Sequence, residues 1–330
     1  MIRVAMLSYW HVHAWDYTRN VQANPNTEIV AVWDEIPSRG QADAEKLGVP
    51  FIADLDELLA RTDIDAVVVD TPTNMHRDVM VKAARAGKHI FTEKVVAPTN
   101  AEVNEILAAI KEAGVKFTVS LPRLNDNYTL AAQEVLAKGY LGQLTQARVR
   151  LSHNGATAGW LPEHFYNLEQ CGGGALIDLG CHPMYLTRLF LGMPQSLNAI
   201  YGYVTGKDVE DNAVATLRYE NGAFGVVEAG FVNPNSPFCF EVHGTEGTMI
   251  YGFESDEVLV RSSKLQGNEW VKIAKPDHRE IAFNQFVGHI LNNTEATENV
   301  GLAADLTKLM EAANISNKER REVTIAELKN

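Results

Sequence analysis

The stretch from Gly172 to His182 reads GGGALIDLGCH. Its carboxylate (Asp178) and imidazole (His182) stand four residues apart. If residues 175–191 form one helix, the two side chains share a face, one turn apart. An Asp behind a His fixes the imidazole tautomer and tunes its basicity, which suits a group that moves a proton. The three glycines before it let the backbone approach something closely, at a cost that implies a reason. The same spacing also fits a solvated pair on a helix surface, so the rest of the chain has to decide.

Chemistry of this kind needs elements to hold it. The chain has 330 residues, enough for two cores rather than one. Short apolar runs at 2–7, 29–33, 66–69, 89–92 and 117–120 alternate with helical patterns near 14–24, 38–47, 54–61, 74–86 and 100–113. Gly48, Gly87 and Gly114 close three of those helices. Strand and helix alternating in this way predict a doubly wound parallel sheet. After a helix near 126–138, longer alternating segments predict a large, mostly antiparallel open sheet, with Asn221-Gly222 as a hairpin turn and two closing helices near 280–292 and 301–317. The fold class is therefore α/β, with a Rossmann domain over 1–121 and a substrate domain, which would also carry oligomerisation, over 122–330.

A net charge of −13 argues against nucleic acid as a partner. No apolar run approaches the ~20 residues of a membrane span, and the N-terminus lacks a signal-peptide layout, so a cytoplasmic protein without a membrane partner is the expectation. The three cysteines, Cys171, Cys181 and Cys239, read as small buried thiols. His11 and His13 are two residues apart, but neither H-x-x-x-H nor C-x-x-C spacing occurs, so no metal is expected.

A doubly wound first half binds ligands at the carboxyl ends of its strands. Its first strand–helix turn would carry G-x-G-x-x-G to admit a pyrophosphate. Here the turn reads Ser8-Tyr9-Trp10-His11-Val12-His13-Ala14, with none of those glycines. His11, His13 and the amides at the helix start remain as phosphate donors. Asp34, closing the second strand, stands where an acidic residue accepts the ribose hydroxyls of NAD and repels the extra phosphate of NADP. A plain surface Asp fits that position equally well. Lys94 follows the fourth apolar run and falls at the same sheet edge, where an amine can serve as acid or base.

Three segments resemble one family, the glucose–fructose oxidoreductase, inositol 2-dehydrogenase and MocA group. Thr71-Pro72-Thr73-Asn74 with His76 is similar to its T-P-N-x-x-H segment near the nicotinamide. Residues 86–94, AGKHIFTEK, are similar to its A-G-K-H-V-x-x-E-K-P signature, and 172–182 to its G-G-G-x-L-x-D-x-G-x-H. The resemblance spans nearly the whole chain. It implies Lys94, Asp178 and His182 as the proton-handling residues. It implies Ser8, Tyr9, Trp10, His11, His13, Asp34, Thr71, Pro72, Asn74, His76, Glu93, Lys94 and Arg123 around an NAD cofactor. Val95 replaces the proline after Glu-Lys, losing a rigid, often cis, turn, and Pro122-Arg123-Leu124 is all that remains of an Arg-rich segment.

The implied activity is hydride transfer between NAD, less readily NADP, and a secondary alcohol of a sugar, polyol or cyclitol. Trp160, His164 and Tyr166, together with Lys94, Asp178 and His182, would line the substrate. Alternatives are a glycoside-cleaving enzyme that oxidises its substrate transiently with tightly held NAD, and a sugar or nucleotide sensor without turnover. An antiparallel sheet that must cover its outer face, together with the habit of relatives, predicts a homodimer or homotetramer.

Overall fold

A computed structural model describes residues 1–328. The chain divides into two compact units, residues 1–121 with 280–304, and residues 122–279 with 305–328.

The first unit runs β1 (Ile2–Leu7), α1 (Ala14–Ala23), β2 (Thr27–Trp33), α2 (Pro37–Leu47), α3 (Leu55–Ala60), β3 (Ala66–Val69), α4 (His76–Arg85), β4 (His89–Thr92), α5 (Asn100–Ala113) and β5 (Phe117–Val119). The strands pair in parallel in the order β2-β1-β3-β4-β5. All four residues of β3 are buried, as expected of a strand covered on both faces. Local signals set the boundaries. Pro37 opens α2, Thr99 and Glu102 form a capping box on α5, and Gly48 and Gly114 adopt left-handed φ of 68° and 66° at helix ends.

The second unit begins with α6 (Asn127–Ala137), β6 (Leu144–Ser152) and four helices, α7 (Gly155–Ala158), α8 (Leu168–Cys171), α9 (Ala175–Asp178) and α10 (Cys181–Leu191). Seven strands follow: β7 (Ser196–Gly202), β8 (Asn212–Arg218), β9 (Phe224–Gly230), β10 (Cys239–Gly244), β11 (Gly247–Tyr251), β12 (Val258–Ser262) and β13 (Val271–Ile273). The chain then forms α11 (Ala282–Asn292), α12 (Thr297–Glu319) and β14 (Val323–Thr324) beside β7, followed by a 3-10 turn at Ile325–Glu327. The nine-stranded sheet is ordered β13-β12-β11-β10-β6-β9-β8-β7-β14 and is antiparallel except where β6 meets β9. Gly222, at φ 84°, makes the β8–β9 turn that Asn221-Gly222 predicts.

In the first unit, Phe91 of β4 meets Phe283 and Phe286 of α11 edge-on or tilted, within a core that includes Met6, Tyr17 and Val68. Each such ring contributes about 1.5–3 kcal/mol by leaving water. In the second unit, α10 lies against β6 and β9. Among the described residues no helix is long and apolar enough to cross a membrane.

The single helix predicted over 175–191 is corrected to two. The Gly180 amide bonds back to Ala175 O at 2.9 Å, and that of His182 to Leu179 O at 3.1 Å, so the ladder changes step twice and the helix restarts. Gly180 permits this, because a Cβ there would lie 2.6 Å from Leu176 O. Asp178 therefore closes α9 while His182 stands in the first turn of α10.

Candidate functional site

The turn after β1 keeps its tight course without a glycine. Ser8 adopts φ 78°, a left-handed conformation, and its Oγ accepts from the Trp10 amide. Three of the ring side chains of this turn fold inward, while His13 stays half-exposed. Tyr9, Trp10 and His11 are buried, with the Tyr9 hydroxyl 3.0 Å from Thr18 Oγ1. Burial pushes the Tyr9 phenol well above its usual range.

Asp34 is buried at the end of β2, and all its acceptor capacity is used. Its Oδ2 accepts from the Tyr9 amide (2.9 Å) and Arg39 Nε (2.8 Å). Its Oδ1 accepts from the Ile36 amide (2.7 Å) and Arg39 Nη2 (2.8 Å). Four bonds fill the roughly four lone-pair positions of a carboxylate. A ribose hydroxyl would have to share or displace one of them.

The loops after β3 and β4 are joined by His76. Its Nε2 is 3.1 Å from Thr71 O, and its Nδ1 is 3.1 Å from both Val95 O and Val96 O. Burial lowers its pKa, with the backbone carbonyls opposing. The ring thus packs between the Thr71-Pro72 segment and the one after Lys94, and its one N–H donates to one of them. The Lys94–Val95 peptide is cis, so the turn expected to be lost with the proline is present. Thr71 Oγ1 and both carboxyl oxygens of Asp70 are buried with no hydrogen-bond partner. Burial, with Glu93 nearby, raises the Asp70 pKa well above the carboxylate range. Asn74 is exposed, and Lys94 is buried.

Glu93 collects donors on one buried carboxylate. Oε1 accepts from the Lys94 amide at 2.8 Å, and Oε2 accepts from the Tyr17 hydroxyl and stands 3.2 Å from His13 Nδ1 and 3.6 Å from His11 Nδ1. Tyr17 in turn is 2.7 Å from Ser120 Oγ. Burial disfavours the Glu93 charge, but the His11, His13 and Lys94 neighbours outweigh it and hold the pKa well below the usual value. His11, His13 and Glu93 together place one nitrogen or oxygen each within 4.8 Å of one another. A scan of local spacing misses this group, because Glu93 lies 80 residues from His13 in sequence.

In the second unit the triple glycine has a packing explanation. Gly172 caps α8 at φ 75°, and a Cβ on Gly174 would lie 2.1 Å from Glu210 O. The close approach anticipated there is to the protein's own backbone. Glu210, buried, accepts from the Gly174 amide (2.8 Å) and the Leu176 amide (2.9 Å), and burial raises its pKa to about 7.

His182 is buried, and its Nδ1 lies 3.2 Å from the Tyr185 hydroxyl. The same hydroxyl oxygen accepts the Arg123 amide at 3.0 Å. Arg123 bonds Tyr128 at 2.8 Å and stacks over Phe238 at 4.1 Å, so its guanidinium is held within the second unit. Trp160 is 55 % exposed and packs its ring 4.6 Å from His153. His164 and Tyr166 line a groove of about 710 Å³ with Glu163, Gln170 and Lys207. Lys207 Nζ sits 4.6 Å over the Tyr166 ring.

Comparison with known proteins agrees with this arrangement. Residues 7–121 match the model of an oxidoreductase family with an NAD-binding Rossmann fold, and 129–250 match that of the GFO/IDH/MocA C-terminal domain. The 1,5-anhydro-D-fructose reductase of Ensifer adhaerens is 30% identical over 231 residues, 68% of either chain. The scyllo-inositol 2-dehydrogenase (NAD(+)) of Bacillus subtilis is 28% identical over 273 residues, 80% of this chain and 78% of that one. Among solved structures, an NAD-binding oxidoreductase from Klebsiella pneumoniae covers 100% of both chains at TM-score 0.80 and 21% identity. A levoglucosan dehydrogenase in complex with NADH and levoglucosan matches at TM-score 0.81 and 20% identity, covering 99% of this chain and 100% of that one. With both domain models matched in order and a relative this similar over two thirds of its length, the chain belongs to the GFO/IDH/MocA family of NAD-binding oxidoreductases.

Proposed function

We propose that the protein transfers a hydride between NAD and a secondary alcohol of a sugar, polyol or cyclitol. The observation that carries this reading is Lys94, buried at the end of β4 in the loop that His76 fastens, within a chain of this family. The residues fit a dinucleotide. The turn at Ser8 keeps a left-handed course, and Thr71 leaves a buried hydroxyl unsatisfied at the carboxyl ends of the strands, where such ligands bind. Ser8, Trp10, Thr71 and Pro72 would hold the cofactor, with Asp34 and Arg39 at the ribose. Bound NAD supplies the hydride acceptor or donor.

The chain's own residues manage the proton and the orientation. Among the described residues the Tyr185 hydroxyl, whose oxygen accepts the Arg123 amide, faces His182 Nδ1 and gives its proton to it. The ring proton of His182 then sits on Nε2, which donates to the substrate oxygen. Lys94 takes the hydroxyl proton in oxidation and returns it in reduction. Trp160 offers an exposed aromatic face for a sugar ring. Two relatives named above are a 1,5-anhydro-D-fructose reductase and a scyllo-inositol 2-dehydrogenase, which supports that substrate class. Assembly as a homodimer or homotetramer would cover Ile200, Tyr203, Val204 and Phe224, which are exposed on and beside the large sheet.

The test is a panel of polyols and cyclitols assayed with NAD by the absorbance of the reduced cofactor. Turnover should appear with at least one of them. It should fall by about a thousandfold or more in Lys94→Ala and in His182→Ala, while NAD still binds. Unchanged rates in both variants would reject the assignment.

A further inference from the structure

The group at His11, His13 and Glu93 has the make-up of a metal centre. Two imidazoles and one carboxylate are the protein ligands of many zinc sites that keep a fourth position open. Ligand atoms at about 2.1 Å around a tetrahedral ion lie about 3.4 Å from each other. Here His13 Nδ1 is 3.2 Å and His11 Nδ1 is 3.6 Å from Glu93 Oε2, on either side of that edge.

Hydrogen bonding alone accounts poorly for these distances. His11 Nδ1 accepts the His13 backbone amide at 3.2 Å, so it cannot at the same time donate to Glu93. His11 Nδ1 stands 3.6 Å from Glu93 Oε2, beyond hydrogen-bond length. That oxygen is already taken by the Tyr17 hydroxyl and by His13. A cation would draw on lone pairs from all three groups, and the long amide bond to His11 would be given up. Two further features suit a dication. Asp70, whose backbone oxygen accepts the His11 amide at 3.3 Å, buries a second carboxyl with both oxygens unpartnered. The three ligands also rest on a firm frame, because Glu93 Oε1 is fixed by the Lys94 amide and Tyr17 is braced by Ser120.

We propose that His11, His13 and Glu93 bind one divalent ion of the zinc class, with a fourth position left for water or a ligand oxygen. The group lies where the glycines of the dinucleotide turn would be, so the histidines of that turn have a role of their own rather than being a poor substitute for glycine.

The experiment uses the full chain, stripped with chelator, reloaded with Zn²⁺ and desalted. Elemental analysis should find about one equivalent of zinc, and the thermal midpoint should rise on loading, because the ion binds only the folded state. Co²⁺ in its place should give the intense visible absorption of a four-coordinate site. His13→Ala and Glu93→Gln should each weaken zinc binding by about a hundredfold or more, whereas His243→Ala, in the second unit, should bind like the wild type. His13→Asn, at a half-exposed position, keeps a polar side chain and stands in if an alanine variant fails to fold. Zinc below about a tenth of an equivalent in the reloaded wild type, or undiminished binding in the folded His13 and Glu93 variants, would overturn the proposal.

Discussion

The Tyr185 hydroxyl lies 3.2 Å from Nδ1 of His182, three residues before it on α10. Tyr185 is fully buried, and that burial keeps its phenol protonated far above neutral pH. In the proposed mechanism this protonated phenol, whose oxygen accepts the Arg123 amide, gives its own proton to the imidazole. Tyr185→Phe removes this restraint without changing the packing volume much. Turnover should fall about five- to tenfold, the worth of one hydrogen bond of about 1 kcal/mol, and the pH–rate profile should shift. Nitrogen NMR of the imidazole should show the Nε2–H form giving way to a mixture. An unchanged tautomer in the variant would remove Tyr185 from the mechanism.

Arg39 bears on the choice of cofactor. It holds Asp34 through two bonds of 2.8 Å and also pairs with Glu35. Arg39→Ala frees two acceptor positions on Asp34 for ribose hydroxyls. It also removes a cation beside Asp34 that is suited to a 2′-phosphate. The KM for NADP should rise several-fold more than the KM for NAD, about 1 kcal/mol of added discrimination. Parallel titrations with the two cofactors check it. Equal changes would mean that neither residue reads the ribose.

Much of the first unit could be read from the chain, because each strand there is a short apolar run and Gly48, Gly87 and Gly114 follow three of its helices. Strands 2–7, 66–69 and 89–92 have the bounds that their residues predict. The break at Leu179–Gly180 could not be read, since it depends on the Ala175 carbonyl receiving a second amide rather than on any apolar period. The same holds for the site. Lys94 and His182 carry motifs, but Tyr185 as the neighbour of His182 looks like one more apolar helix residue. The partnership of Glu93 with His11 and His13 exists only once β4 lies in the same sheet as β1. The triple glycine was legible as a constraint, but its cause, the Glu210 backbone, lies 36 residues on.

His76 should act as a positioning residue for Lys94. Its ring lies 3.1 Å from carbonyls on both flanking loops and its N–H donates to one side, so His76→Ala leaves a buried acceptor without a donor, at about 1–3 kcal/mol. The thermal midpoint should drop by several degrees. Because the ring touches the segments that flank Lys94 rather than substrate, kcat should fall with little change in KM for the polyol. His76→Asn, which retains a donor, should recover part of both losses. A variant that loses stability but keeps kcat would assign His76 to folding alone.

Glu210 gives the second unit a pH-dependent stability whose sign can be stated. Burial raises its pKa from 4.5 to about 7, despite the two amides that favour its charge. The folded protein therefore holds the proton more tightly than the unfolded chain does. The stabilisation is complete below about pH 4.5 and is lost as pH rises through about 7, to a total of about 3 kcal/mol. Glu210→Gln stays neutral throughout, but its side-chain amide can accept only one of the two backbone N–H groups, which costs about 1–3 kcal/mol. The wild type should therefore exceed the variant in stability at pH 5, and the gap should narrow by pH 8. Denaturant unfolding at both pH values measures it, and the difference between the two proteins cancels every other group that titrates in the range. A gap that widens with pH would show that the two helix amides, and not burial, govern this carboxyl.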